Sequence, residues 1–140
     1  MHESGAEAMS DITVARALGG FSLVRGAAEL MFGRRINVAL GLGQSAALVR
    51  AFGAREAVAG YLARMYPDMA GPIWMRVAGD VLDVAVLVGA LNRRRNPHRD
   101  ATLAALVAVL GVTAIDIATA ASLTRRHTRS LATARRTRVR

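Results

Sequence analysis

Residues 72–91 read PIWMRVAGDVLDVAVLVGAL. At roughly 1.5 Å per residue, a helix of this length crosses a hydrocarbon layer of about 30 Å. Pro72 suits the first turn, where its missing N–H has no intrahelical role. Arg76, Asp80, Asp83 and Leu87 follow the spacing i, i+4, i+7, i+11, so they share one narrow face, with Gly79 beside them. A carboxylate among Val, Leu and Ala costs several kcal/mol unless it is paired or neutralised. The stripe therefore has two readings. One is structural: an Arg76–Asp80 salt bridge completed by a partner on another helix. The other is a polar stripe that binds a cation, a proton or a small ligand. The structural reading is preferred.

Working outward, three more apolar segments have spanning length: about 13–32, 46–64 and 101–123. Five of the ten acidic residues fall inside the four segments: Glu29, Glu56, Asp80, Asp83 and Asp116. Their arginine companions are Arg25, Arg50, Arg55 and Arg76. Leu18, Ser22, Arg25 and Glu29 form a stripe in the first segment. Gly53, Glu56 and Gly60 share a face in the second, which lets another helix approach Glu56. Thr113, Asp116 and Thr119 share a face in the fourth. No segment reaches 18 residues without a charge, which counts against a membrane. Gly33-Arg34-Arg35 ends the first segment, and Gly41, Gly43 and Gln44 loosen the connection after it. Pro67 to Pro72 breaks the chain before the third. Arg93 to Asp100, with Pro97, separates the third from the fourth, and Asp100 suits an N-cap. Tyr66 and Trp74 flank the Pro67–Pro72 turn as interfacial aromatics do.

Depth sharpens the pairing. In four antiparallel spans, Arg50 and Glu29 lie toward the 33–45 loop, Arg55 lies centrally beside Asp80 and Asp83, and Arg76 and Asp116 lie toward the opposite side. The expected pairs are Arg76 with Asp116, Arg55 with Asp80 or Asp83, and Arg50 with Glu29. A direct repeat at an offset of 34 also shows: Arg16, Gly19 and Gly26 match Arg50, Gly53 and Gly60.

The chain of 140 residues has the length of one domain. It is 53% hydrophobic with only 4% aromatics and 13 glycines, and its mean hydropathy is +0.29. Small aliphatic residues of this kind let helices approach closely in a membrane. Net charge is +9, and all 19 basic residues are arginine. The absence of cysteine excludes disulfides, thiol chemistry and Cys-based metal sites. His2, His98 and His127 are scattered outside the apolar segments, and no H-E-x-x-H, nucleophile elbow or P-loop occurs. No catalytic, cofactor-binding or metal-binding residue is expected, and the chain reads as no enzyme. Ile36–Leu40 followed by Gly41-x-Gly43-x-x-Ala46 matches a dinucleotide fingerprint, but the acid expected about 20 residues later is misplaced and no second βαβ unit follows. Residues 1–12 are acidic and lack the basic region of a signal peptide. Residues 124–140 form a basic tail with Arg125, Arg126, Arg129, Arg135, Arg136, Arg138 and Arg140 and no acid. Anionic lipid headgroups are its expected partner. Nucleic acid is less favoured, since no aromatic is interleaved for base stacking.

The stretches ARALGGFSLVRGAAELMF, LVRAFGAREAVAGYLARM, MRVAGDVLDVAVL and GVTAIDIATA, within 13–123, resemble four-helix bacterial membrane segments of unknown function. In longer proteins, similar segments precede a cyclase/dehydrase (START-like) domain. F-G-A-R-E at 52–56 and R-V-A-G-D-x-x-D at 76–83 carry the resemblance most specifically. The first segment also resembles, more weakly, the opening helix of DoxX-like membrane proteins. The resemblance implies a membrane bundle. It implies no cyclase or dehydrase activity and supplies no functional residues.

These readings converge on an all-α, four-helix antiparallel transmembrane bundle over 13–123, in a bacterial inner membrane. An internal polar network is expected from Arg25, Glu29, Arg50, Arg55, Glu56, Arg76, Asp80, Asp83 and Asp116. The expected role is structural or partner-binding, with the lipid bilayer and a membrane protein as partner classes. Two alternatives stand beside it: a carrier or sensor that uses the buried carboxylates for protons or a small ligand, and a soluble basic helical protein that binds nucleic acid. The 33–45 and 92–100 loops carry six Arg against seven in the tail, so the positive-inside rule leans only weakly to termini inside.

Overall fold

The computed structural model describes residues 3–92 and 96–137, with side chains described from Met9 to Ala132. It is all-helical, and no strand occurs among the described residues. α1 (Glu3–Ala39), α2 (Ala46–Met65), α3 (Ala70–Leu91) and α4 (Arg99–Thr137) follow one another in chain order. Their short connections make each helix antiparallel to the next. α1 packs most extensively on α2 and α3 on α4, with smaller α2–α3 and α1–α4 contacts closing the bundle.

The helix ends differ from the punctuation read in the sequence. Gly33-Arg34-Arg35 does not end α1, which runs on to Ala39 past a non-helical residue, Phe32 (φ −116, ψ 16). Charge stops an apolar run without stopping a helix, because arginine is a good helix former. The basic tail likewise continues α4 to Thr137. Ile36–Ala39, the strand of the dinucleotide fingerprint, is helical, which removes that reading. Gly41 and Gly43 adopt positive φ (56 and 60), and Asn37 clips the loop between them and α2: its Oδ1 accepts from Gln44 N at 3.0 Å and its Nδ2 donates to Gln44 O at 2.6 Å. Ser45 caps α2, accepting from Leu48 N at 3.1 Å. Asp100 lies inside the first turn of α4 and is not its cap. Asn96 Oδ1 instead accepts from His98 N at 2.9 Å, just ahead of the helix.

The buried positions repeat every three and four residues. On α2 they include Val49, Gly53, Glu56, Gly60 and Ala63, and on α3 Ile73, Arg76, Asp80, Asp83, Leu87 and Ala90. This is a heptad seam, the pattern of helices crossing at a shallow angle, but small and charged residues occupy many of its positions. Gly19 faces Gly60 and Gly26 faces Gly53 across the antiparallel α1–α2 pair. A Cβ on Gly26 would meet Gly53 O at 2.6 Å and Ala57 N at 2.7 Å. A Cβ on Gly19 would meet Gly60 O at 2.8 Å. The backbones are in contact, with no side chain between them. The 34-residue offset in the sequence aligns these same glycines, seven apart on each helix.

The core is layered along the bundle. One end, beside the α2–α3 turn, packs Ala15, Ala63, Ile73, Ala120 and Leu123. The other, beneath the two remaining loops, packs Leu42, Val49, Leu87 and Ala90. Thr102 ties the loops at that end together, with Oγ1 2.8 Å from Leu40 O and 3.1 Å from Asn96 Nδ2. Between the two apolar clusters lies a polar layer. It spans Arg76 to Asp83 on α3, about 10 Å of helix.

Candidate functional site: a charged layer inside the bundle

Each helix contributes to the polar layer from its buried face. α1 brings Ser22, Arg25 and Glu29; α2 brings Arg55 and Glu56; α3 brings Arg76, Asp80 and Asp83; α4 brings Thr113 and Asp116. Arg76 is fully buried. Its Nη1 donates to Glu56 Oε1 at 3.0 Å and its Nε to Asp116 Oδ2 at 3.1 Å, while Nη2 lies 3.0 Å from the same Asp116 oxygen. This guanidinium thus joins α2, α3 and α4. Ser22 Oγ donates to Glu56 Oε1 at 2.5 Å, adding α1.

Arg25 is a second hub. Its Nε donates to Glu29 Oε1 at 3.0 Å on its own helix, and its Nη2 donates to Asp83 Oδ2 on α3. Its Nη1 lies 3.6 Å from Asp80 Oδ1 and 4.0 Å from Glu56 Oε1. Arg55 Nη2 bridges Asp83 Oδ2 at 3.4 Å and Glu56 Oε2 at 3.5 Å. Gly79 makes room for that guanidinium, because a Cβ there would overlap it. Thr113 Oγ1 lies 2.9 Å from Asp80 Oδ2 and 2.8 Å from Val109 O, so its one proton serves one of them at a time. The eight ionisable residues form a single connected network.

Eight of the nine network residues read from the sequence meet here, and Arg50 does not. Arg76 faces Asp116, and Arg55 faces Asp83 at the stated distances. Glu29, however, takes its bond from Arg25, not Arg50. Arg50 is exposed, makes no ion pair among the described residues, and lays its stem over Gly33. Depth along a helix sets height but not azimuth: Arg50 follows Val49 on the seam and is rotated about 100° away from it. The Arg76–Asp80 bridge expected within α3 is also not made, since Arg76 reaches out to α2 and α4 instead. Of the tail, Arg125 is exposed, Arg126 Nη2 lies 3.0 Å from Asp11 Oδ2, and Arg129 is exposed with an interaction of its own. The side chains of Arg135 and Arg136 lie outside the described ones, and Arg138 and Arg140 lie outside the described residues.

Two contacts at the end of the bundle beside the α2–α3 turn have no counterpart in the sequence reading. Asp11 accepts from Ser122, and Trp74 Nε1 donates to Thr124 Oγ1 at 3.2 Å. Both join residues far apart in the chain, with no local spacing to signal them.

The layer is rich in acid. Three guanidiniums face five carboxylates, two negative charges in excess when all are ionised. Among the described residues no group of His, Cys, Asp and Glu has the arrangement of a metal site. No family model, curated protein or solved structure matches the chain.

One helix, over Arg99–Ala132, is long and apolar enough by length and composition to cross a membrane. The expectation of four spanning segments is thus met on this criterion by one alone: α3 carries three charges, Arg76, Asp80 and Asp83, and the charges of α1 and α2, with their many Gly and Ala residues, lower the hydropathy of those two.

Proposed function

We propose that the chain is a small integral membrane protein, a four-helix bundle held together by its Arg–carboxylate layer, with a structural or partner-binding role and no catalysis. The observation that carries this reading is the inverted placement of polarity. The largest fully buried side chains are Arg76, Ile73, Glu56, Thr102, Asp80, Asp116 and Ser22, and all but Ile73 are polar. Large hydrophobics face outward instead, among them Val24 (72% exposed), Val107 (63%) and Val81 (60%). Soluble domains bury such residues and rarely bury arginine or carboxylates.

The distribution of charge along the helices agrees. Within 17–33, 51–63, 70–91 and 101–123, every charged residue belongs to the internal layer. Exposed charge begins only beyond these stretches, with Arg16, Arg64, Asp68 and Arg125 at one end and Arg34, Arg35, Arg50, Arg99 and Asp100 at the other. That leaves an uncharged outer belt over the helices. Tyr66 and Trp74, both half exposed, sit at its edge, where amphipathic rings favour the interface. The resemblance to the membrane segments that precede START-like domains leads to the same class.

The test is alkaline carbonate extraction of membranes from cells expressing the full chain. The protein is expected to stay in the membrane pellet and to require detergent for release. Recovery in the carbonate supernatant would contradict the reading.

A further inference from the structure

Asp80 stands apart within the charged layer. Each of the other four carboxylates accepts a hydrogen bond from a guanidinium: Glu29 from Arg25, Glu56 and Asp116 from Arg76, and Asp83 from Arg25 and Arg55. Asp80 accepts none. Its nearest guanidinium nitrogen, Arg25 Nη1, is 3.6 Å from Oδ1, and that oxygen is buried without a hydrogen-bond partner. The residue is fully buried and lies at the middle of α3, away from both polar ends.

The charges that face Asp80 come in equal numbers of each sign. Arg25 of α1 and Arg76 of its own helix are positive, and Glu56 of α2 and Asp116 of α4 are negative. Asp83, one turn on, is taken up by Arg25 and Arg55. Both facing guanidiniums give their hydrogen bonds to other carboxylates. A buried carboxylate without a compensating partner takes up a proton rather than stay charged. The count for the whole layer agrees, since five ionised carboxylates against three guanidiniums leave two negative charges in excess.

The hydroxyl of Thr113 gives an independent reason. With Asp80 ionised, its Oδ2 and Val109 O compete for the one proton of that hydroxyl, at 2.9 and 2.8 Å. A proton on Oδ2 ends the competition. Asp80 then donates to Thr113 Oγ1 while Thr113 donates to Val109 O, and both contacts are hydrogen bonds at once.

We propose that Asp80 is a proton-binding site, a neutral carboxylic acid at neutral pH whose Oδ2 donates its proton to Thr113 Oγ1. The layer thus carries a proton at its centre, beyond the structural pairing of its other carboxylates. The one negative charge still in excess falls at Glu29, the most exposed of the five carboxylates, with 13% of its side chain accessible. The site is internal to one chain, so it holds whether or not the bundle resides in lipid.

The experiment is infrared difference spectroscopy of the detergent-solubilised full chain in deuterated buffer at neutral pH. Native minus Asp80→Asn is expected to show one protonated-carboxyl C=O stretch and no loss of ionised carboxylate. Thr113→Val is expected to shift that stretch to higher frequency without removing it, because the acid loses its acceptor. Stability is the second reading, since asparagine has the shape of the neutral acid. Asp80→Asn is expected to move Tm by about 2 °C or less, and Asp116→Asn to lower it by about 4 °C or more. Absence of a protonated-carboxyl band from the native chain, a band that survives in Asp80→Asn, or a loss of Tm in Asp80→Asn as large as in Asp116→Asn would each overturn the proposal. The first of these needs no variant, so it decides the matter even if Asp80→Asn fails to fold.

Discussion

Arg76→Ala is expected to destabilise the detergent-solubilised protein by about 3–5 kcal/mol, because it strands the buried carboxylate of Asp116 and takes from Glu56 its closest guanidinium. Glu56 and Asp116 each lie 3.0 Å from the Arg76 guanidinium and are fully buried. Without it, Asp116 keeps no ion pair among the described residues. Asp116→Ala leaves Arg76 still held by Glu56 and should cost less. The double variant removes both members of one pair, so its loss should fall short of the sum of the singles. The cycle is read from thermal or denaturant unfolding followed by helical circular dichroism. Strict additivity would show that the two side chains do not interact. Arg50→Ala is the matched control: an exposed arginine with no ion pair among the described residues should change stability by no more than about 0.5 kcal/mol.

The second large effect belongs to the glycine seam. Gly26→Ala should destabilise the bundle by about 1–3 kcal/mol, the usual cost of forcing atoms into a closed interface. The added methyl meets backbone on α2, Gly53 O and Ala57 N, which cannot rotate away as a side chain could. The two helices must therefore separate, and the 2.5 Å contact from Ser22 to Glu56 separates with them. Gly111→Ala isolates the steric term. A methyl there meets nothing within 4 Å, so it should gain up to about 1 kcal/mol from helix propensity alone. The same substitution thus has opposite signs at two helical glycines. A stabilising Gly26→Ala would refute the close contact of α1 and α2.

Much of the layer was legible because its residues are anomalous where they stand. A carboxylate in an apolar run announces a partner, and equal depth on antiparallel helices was enough to propose Arg76 for Asp116 and Arg55 for Asp80 or Asp83. Depth failed for Arg50 because height leaves the direction of the side chain open. The heptad seam resolves that direction: Glu29 lies on the seam of α1, while Arg50 lies one residue off the seam of α2. The seam was itself readable, in glycines spaced by seven at 19 and 26 and again at 53 and 60. Read forward, they look like a direct repeat. Read antiparallel, they are the two sides of one interface, and folding uses the antiparallel sense.

Helix ends were less legible. Hydropathy tracks the surroundings a helix suits, whereas helicity follows backbone propensity, so α1 and α4 outrun their apolar stretches at both polar ends. The role of Arg25 as a hub was hidden for a different reason. Its i+4 acid, Glu29, suggests a local pair, and only the packing of α1 near α3 brings Asp83 and Asp80 within reach of the same guanidinium.

If apolar faces look out into lipid while charge is gathered inside, spin labels on the outer faces will report lipid and not water. The chain has no cysteine, so single nitroxide labels can be placed without other changes. Labels at Val24, Val58, Leu82 and Leu110, all outward-facing and one on each helix, go into the protein reconstituted in vesicles. Their relaxation is then compared with apolar molecular oxygen and with a water-soluble nickel chelate. High oxygen access and exclusion of the chelate at all four sites is the predicted result. Free access of the chelate to these mid-helix positions would contradict it.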